Sequence, residues 1–460
     1  NKGISMPRVF ISDGFYQRIT VVGVGCIAAY FIRKQRLRKQ DLTGQDTHAI
    51  SWSFFTVCTF AIIGIFVHPI FGFIGEIFAG LATLFENIPT SIIKILLSVI
   101  LIFFATRWIR NFFASRRSAT GHLSLIDDDI FRIASMTKLL TTIGSLQLVE
   151  KGKLEMDQPL NDFLSGLADV FVIDDKSELR SPKSQVTLTH LLTHTSGFAY
   201  PFTSEKLDSY LDRPRGPADP REFLTWPKVF DSGENFCYGV GIDWVGKLIE
   251  NISGKSLEDY FRENITGPLG MNSTWFNPPS EIHANIVDYH VRNGDGFEVA
   301  GPRIPEPTDF YGGGGGLMSS AKDYVKLLKC LYYGGQLEEV RILKRDTVDK
   351  MFQDHLPKEI YIGMTEAPEE HSWSNNGEFC QSMAEDRWGL GWALESEDKQ
   401  GCRSSGTAYW AGIFNTYFTL DRKKGIAVLY FSQFLPFDDN EAYKIYKTFE
   451  AEVYKESIAD

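Results

Sequence analysis

Paired cysteines are missing from this sequence. Its six cysteines (Cys26, Cys58, Cys237, Cys330, Cys380 and Cys402) include no Cys-x-x-Cys and follow no regular spacing. A zinc ribbon and a disulfide scaffold are both disfavoured, and partly buried thiols are the expectation. A phosphate-binding loop is missing too, because no Lys-Ser/Thr pair follows the five glycines at 312–316. No metal-ligand cluster stands out, so neither a metal nor another cofactor is expected. Basic residues are scarce in the larger part of the chain: residues 118–460 hold 34 Lys/Arg against 53 Asp/Glu, a net of −19. A surface of that sign does not displace counterions from nucleic acid, which excludes such a partner. Sequons begin at Asn251, Asn264 and Asn272, but patterns this short recur by chance and leave the compartment open.

The 460 residues, 43% of them hydrophobic, are too many for one ordinary domain and too apolar for disorder. The composition divides near residue 117. Residues 1–117 hold 13 Lys/Arg against 5 Asp/Glu, a net of +8, and 15 of the 35 Phe. Long apolar runs occur only there, at 19–32, 54–85 and 92–113. About 20 apolar residues span a hydrocarbon core, so two or three transmembrane helices are expected within 1–117. With three spans, the basic clusters at 33–39 and 107–117 share one side, which the positive-inside rule makes cytoplasmic. The acidic domain, 118–460, then faces the cytoplasm or an organelle matrix, tethered to a lipid bilayer. Two alternatives stay open. The runs could be buried core helices, or 1–117 could come from a misjoined exon, which leaves a soluble cytoplasmic domain.

Beyond 118 the pattern is globular. Apolar residues at 139, 140, 143, 146, 148 and 149 share one helical face, and Gly152 reads as its C-cap. Ser135 then lies at a helix N-terminus with Lys138 one turn later. An amine there can take the hydroxyl proton, and the helix dipole favours a developing anion. Ser-x-x-Lys is a weak signal alone, since it also begins at Ser91, Ser319 and Ser396. Ser91 lies at a membrane-like run and Ser396 in a charged stretch. Ser319 reads as an N-cap, with Asp323 three residues after Ser320 completing a capping box. Only Ser135 has an apolar helix behind it.

Further blocks follow in order: Leu191-Leu192-Thr193-His194-Thr195-Ser196-Gly197, Tyr238-Gly239-Val240-Gly241-Ile242-Asp243-Trp244, residues 311–320, Trp388-Gly389-Leu390-Gly391-Trp392 and Trp410-Ala411-Gly412. Together with the segment 131–138 they resemble the serine β-lactamase-like superfamily, which includes penicillin-binding proteins and related esterases. The resemblance spans roughly residues 118–450. It implies an α+β fold, an antiparallel sheet flanked by helices with an all-α subdomain. It also implies Ser135 as acylated nucleophile, Lys138 as base, Tyr238 as proton shuttle, and the backbone N–H groups of Ser135 and Ile413 as oxyanion hole. His194 and Ser196 are expected to fix a turn beside the site.

Two departures bear on substrate. Val240 stands where the Asn of Tyr-x-Asn is usual, and Trp410 where Lys-Thr-Gly begins. With an amide and a cation replaced by apolar groups, a small anion loses its binding partners. A neutral ester or thioester fits better than a β-lactam carboxylate, as in the esterase and acyltransferase branch. Trp410, Ala411 and Gly412 would contact the substrate, and Phe198, Tyr200, Phe202, Phe236 and Tyr409 are expected to line an apolar acyl pocket. The expected partner is a small-molecule ester, thioester or amide. The rival readings are a β-lactamase or D,D-peptidase and a catalytically inactive membrane-anchored scaffold. The family's N-terminal strands have no counterpart upstream of 118. The apolar stretch 425–431, expected as a central strand buried on both faces, would lose its partner and expose an edge.

Overall fold

A computed structural model describes residues 128–211, 222–294, 296–363, 374–375 and 377–459. The spans expected at 19–32, 54–85 and 92–113, and the motif at Ser91, lie outside the described residues. Among the described residues, no helix is long and apolar enough to cross a membrane.

The architecture is α+β. Five antiparallel strands form the main sheet: β3 (Arg387–Trp388), β4 (Ala393–Leu394), β5 (Ala408–Gly412), β6 (Thr416–Asp421) and β7 (Ile426–Tyr430), in the order β7-β6-β5-β4-β3. Every residue of β5 and β6 is buried, so both faces of the sheet are covered. Helix α4 (Ala321–Tyr332) covers one face, where Tyr324 packs on Phe418 at 5.6 Å. Helix α5 (Asn440–Ala459) covers the other, where Tyr446 stacks on Tyr417 at 4.8 Å. Successive strand residues point to opposite faces, which is why neighbours 417 and 418 meet different helices. Registry pairs Trp410 with Phe418 and Tyr409 with Thr419. Trp410 therefore faces the α4 side and Tyr409 the α5 side.

Strand β7 is the edge strand of this sheet among the described residues. It is not buried on both faces along its length: Ile426 and Val428 are buried, Ala427 is exposed, and Leu429 and Tyr430 are half-buried. Successive side chains face opposite sides of the sheet, so the alternation means that one face of this edge strand is better covered than the other.

Helix α1 (Thr137–Glu150) packs against α3 (Gly241–Ser253), which in turn packs against α2 (Leu188–Leu192). The sequence pattern predicts one buried face for α1, but residues 137–148 are all buried. Its apolar side chains, each worth about 1.5–3 kcal/mol when buried, are Leu139, Leu140, Ile143, Leu146 and Leu148. Several of its polar ones find partners: Thr141 Oγ1 donates to the Gly313 carbonyl at 2.7 Å and Ser145 Oγ to that of Thr142 at 2.8 Å. Gln147 Nε2 donates to Asn264 and Ile342 carbonyls. These bonds let most of the polar side chains lie buried, while Thr142 Oγ1 and Gln147 Oε1 have no partner among the described residues.

Strand β1 (Ile130–Arg132) pairs antiparallel with β2 (Met318–Ser320) and so brings the nucleophile segment beside the glycine run. Ser319 is buried in β2, with its hydroxyl 2.8 Å from that of Thr274. The N-cap of α4 is Ser320, which accepts from the Asp323 N–H at 3.2 Å. Asp323 turns its carboxylate to Ser273, Thr274 and Lys326, so the expected reciprocal capping box is not closed.

Candidate active site

Ser135 is delivered by a 3-10 turn, Ala134–Met136, that runs into α1. Ala134 adopts a φ of 43°, a left-handed conformation that costs a non-glycine residue energy and is typical of functional turns. Lys138, one turn on, is 1% exposed. Its Nζ donates to Ser135 Oγ at 3.2 Å, to Tyr200 OH at 3.1 Å and to the Gly314 carbonyl at 2.7 Å. These three acceptors are all neutral oxygens.

The glycine run has a steric cause. A Cβ on Gly314 would lie 2.3 Å from Asp243 Oδ2, so only glycine fits there. Asp243, in the first turn of α3, accepts the Gly314 N–H on Oδ1 at 2.8 Å. Burial pushes its carboxyl up, opposed by Lys138 and by the Gly314 bond. The end of β5 is equally tight. A Cβ on Gly412 would fall 2.4 Å from the Ile133 carbonyl oxygen, so the strand and the nucleophile turn touch backbone to backbone. Ser135 and Ile413 flank that contact, and both line the same cavity.

That cavity measures about 610 Å³. Of the residues expected at the site, Ser135, Tyr238, Tyr200, Phe202, Val240, Trp410, Ala411, Gly412 and Ile413 line it. Lys138 reaches it through Ser135 and Tyr200. Three expected pocket residues lie elsewhere. Phe198 packs on Trp244, and Phe236 packs between His194 and Trp388. Tyr409 turns to the far side of the sheet and bonds Asp386. The parity of β5 excludes Tyr409, since its neighbour Trp410 occupies the cavity side. Phe223, Trp226, Phe379, Phe414 and Phe437 take their place in the wall. No local pattern marks these five, which come from separate segments. Among the described cavity-lining residues there is no Lys or Arg, and Asp243 is the carboxylate.

Tyr200 was expected as apolar lining, yet its hydroxyl is the phenol bonded to Lys138. Burial, with Asp243 and Tyr238 nearby, holds that phenol well above the usual tyrosine range. Tyr238 presents its ring face 4.7 Å from Lys138 Nζ, and its hydroxyl accepts from the Trp410 indole at 3.3 Å. His194 fixes Tyr238 from both sides. Its carbonyl accepts the Cys237 N–H at 2.9 Å, and its Nδ1 accepts the Gly239 N–H at 3.3 Å. Its ring lies 4.7 Å from that of Tyr238, and its own φ is 56°. Burial, reinforced by Lys138, drives its pKa far below the usual value, so the imidazole is neutral. Ser196 accepts on its carbonyl from Ser232. Both residues hold turns beside the site.

Comparison with known proteins agrees with this geometry. The family model described as Beta-lactamase matches residues 112–452. Monacolin J acid methylbutanoyltransferase of Aspergillus terreus is 32% identical over 344 residues, covering 70% of this chain and 81% of its own. Lovastatin esterase of Penicillium rubens is 30% identical over 370 residues, covering 74% and 91%. The unliganded structure of simvastatin synthase from Aspergillus terreus superposes with a TM-score of 0.64 at 30% identity, covering 74% of this chain and 88% of that one. The chain belongs to the β-lactamase family, among relatives that are esterases and acyltransferases.

Proposed function

We propose that this protein is a serine-dependent carboxylic ester hydrolase or acyltransferase that works through an acyl-enzyme on Ser135. The observation that carries the reading is Lys138 Nζ, 3.2 Å from Ser135 Oγ, where Ser135 lines a cavity with no Lys or Arg among its described lining residues. Ser135 Oγ attacks the substrate carbonyl as its proton passes to Lys138, and the carbonyl oxygen becomes an oxyanion held by the Ser135 and Ile413 N–H groups. Collapse expels the alcohol or thiol, which takes a proton relayed by way of Tyr238 or Tyr200. Water or an acceptor alcohol then reverses the sequence and frees Ser135. A largely aromatic cavity with no Lys or Arg among its described lining residues favours a neutral ester or thioester over an anionic β-lactam. The relatives named for methylbutanoyl transfer and lovastatin ester hydrolysis support a branched acyl ester as the first substrate.

The test is a p-nitrophenyl acyl ester. A burst of chromophore stoichiometric with enzyme, lost in Ser135→Ala, with the acyl mass on Ser135, is the expected result. Absence of both the burst and fluorophosphonate labelling would overturn the reading, and turnover of nitrocefin faster than of the ester would replace it with a β-lactamase. We propose further that residues 1–117 tether this domain to a bilayer, with the enzyme on the cytoplasmic or organelle-matrix side. Release of the full chain from membranes by alkaline carbonate would refute that tether.

A further inference from the structure

Asp243 is a buried carboxyl for which the acyl-enzyme chemistry has so far no use. It is 6% exposed, and such a group is costly to retain without a partner. Its partner is the glycine run. Gly314 is gripped from two sides: its N–H is given to Asp243 Oδ1 at 2.8 Å, and its carbonyl receives Lys138 Nζ at 2.7 Å. Gly314 admits no side chain because Asp243 occupies the space where a Cβ would stand. Of the three acceptors around Lys138, the Gly314 carbonyl makes the shortest bond, so its placement sets where the amine sits relative to Ser135.

We propose that Asp243 is the positioning residue for Lys138, acting through Gly314 to hold the amine one hydrogen bond from the nucleophile. The proposal rests on the Ser135 acyl-enzyme reading. The groups that face Lys138 are the Ser135 hydroxyl, the Tyr200 phenol, the Tyr238 ring, the neutral His194 imidazole, the Gly314 carbonyl and the Asp243 carboxyl. Lys247, one turn further along α3, faces Asp243 as well but is paired with Glu250. Asp243 is therefore the one carboxylate in this set.

Two substitutions test the bond to Gly314. Asp243→Asn keeps an acceptor for its N–H; Asp243→Ala removes it. In Asp243→Ala kcat falls about tenfold to a hundredfold with KM little changed, because the amine is misplaced, and in Asp243→Asn kcat returns to within about threefold of the wild type. A carboxyl that merely supports the start of α3 would lower Tm and leave kcat of the folded enzyme where it was. A kcat in Asp243→Ala equal to that of the wild type overturns the proposal, whatever happens to Tm. If Asp243→Ala fails to fold, kcat of Asp243→Val, which also removes the acceptor, decides. Ser135 adduct formation is followed by mass in the wild type first. No adduct there overturns the acyl-enzyme reading and this role with it, whereas an adduct with unchanged variants overturns only the role of Asp243.

Discussion

Neighbouring residues of β5 look onto two regions that treat buried charge in opposite ways. On the Trp410 side lies the cavity, where Lys138 is bonded to three neutral oxygens. On the Tyr409 side, beneath α5, Arg403 bonds Glu450 at 2.8 Å and Tyr446 OH at 2.8 Å, pairs with Glu395 at 3.6 Å, and lies over the Tyr409 ring. Glu450 is fully buried and also accepts from Thr419, Tyr446 and Lys447. A buried carboxylate paired with Arg403 and Lys447 and bonded by two hydroxyls is a fixed structural member. Among the described residues the Lys138 amine is hydrogen-bonded to neutral acceptors only, so no ion pair holds it, and its bonds converge on Ser135 and the cavity wall.

Substitution of the two cations by an apolar side chain of similar length is the hardest test of that contrast. Lys138→Met is expected to lower kcat by about 10²–10⁴-fold while Tm holds or rises, since no carboxylate is left with a direct bond broken. Arg403→Met is expected to cost about 3–5 kcal/mol of stability, because it strands Glu450 and Glu395, yet Ser135 in the folded fraction still acylates. Chevron or equilibrium denaturation alongside burst kinetics measures both. Matching losses of stability and of acylation in the two variants would break the comparison.

Acid sharpens it. Burial works against the charge on Glu450, but Arg403, Lys447 and the Thr419 bond outweigh it and bring the carboxyl down from 4.5 to about 2. A depressed folded pKa means stability that is fully present above 4.5 and lost as pH falls through about 2. The loss is about 3 kcal/mol for this one group. Glu450→Gln should be less stable at neutral pH and should lack that part of the decline between pH 4.5 and 2 in urea titrations. An unchanged acid slope would remove Glu450 as its source.

The smallest effect is expected at Gly315, on the cavity side. It lines the wall, and a Cβ there would meet nothing nearer than the Ala134 carbonyl carbon at 3.9 Å. Gly315→Leu should fold normally and fill space beside Ser135. Hydrolysis of a branched or long acyl ester should then drop relative to acetate by about 10–200-fold, the scale of a methylene-sized discrimination. Equal changes for both esters would mean that this part of the wall does not meet the acyl group.

The pairing of Ser135 with Lys138 was legible in the sequence because helical geometry puts residues three apart on one side, whatever the rest of the fold does. The Gly412–Ile413 end of the Trp-Ala-Gly block was legible by family resemblance, and its glycine has a steric reason in the Ile133 contact. Tyr200 was assigned to the right cavity for an incomplete reason, since its side chain offers both a ring and a hydroxyl and only the neighbour decides which is used. Phe198, Phe236 and Tyr409 were misassigned for a related reason. An aromatic side chain suits a core and a pocket equally, and the parity of β5 is set by which face α5 covers.

The sequence by itself determined the local chemistry: a serine and an amine one helical turn apart, an acidic globular part distinct from a basic, Phe-rich one, and apolar residues where an anion-binding cation would stand. Only the tertiary structure decided which aromatics form the wall, that Tyr200 reaches the amine, and that Asp243 grips Gly314 from 71 residues away. Spacing along a helix or strand follows from backbone geometry, which every residue carries with it. Contacts across the fold depend on how layers pack, and no periodicity in the chain encodes them.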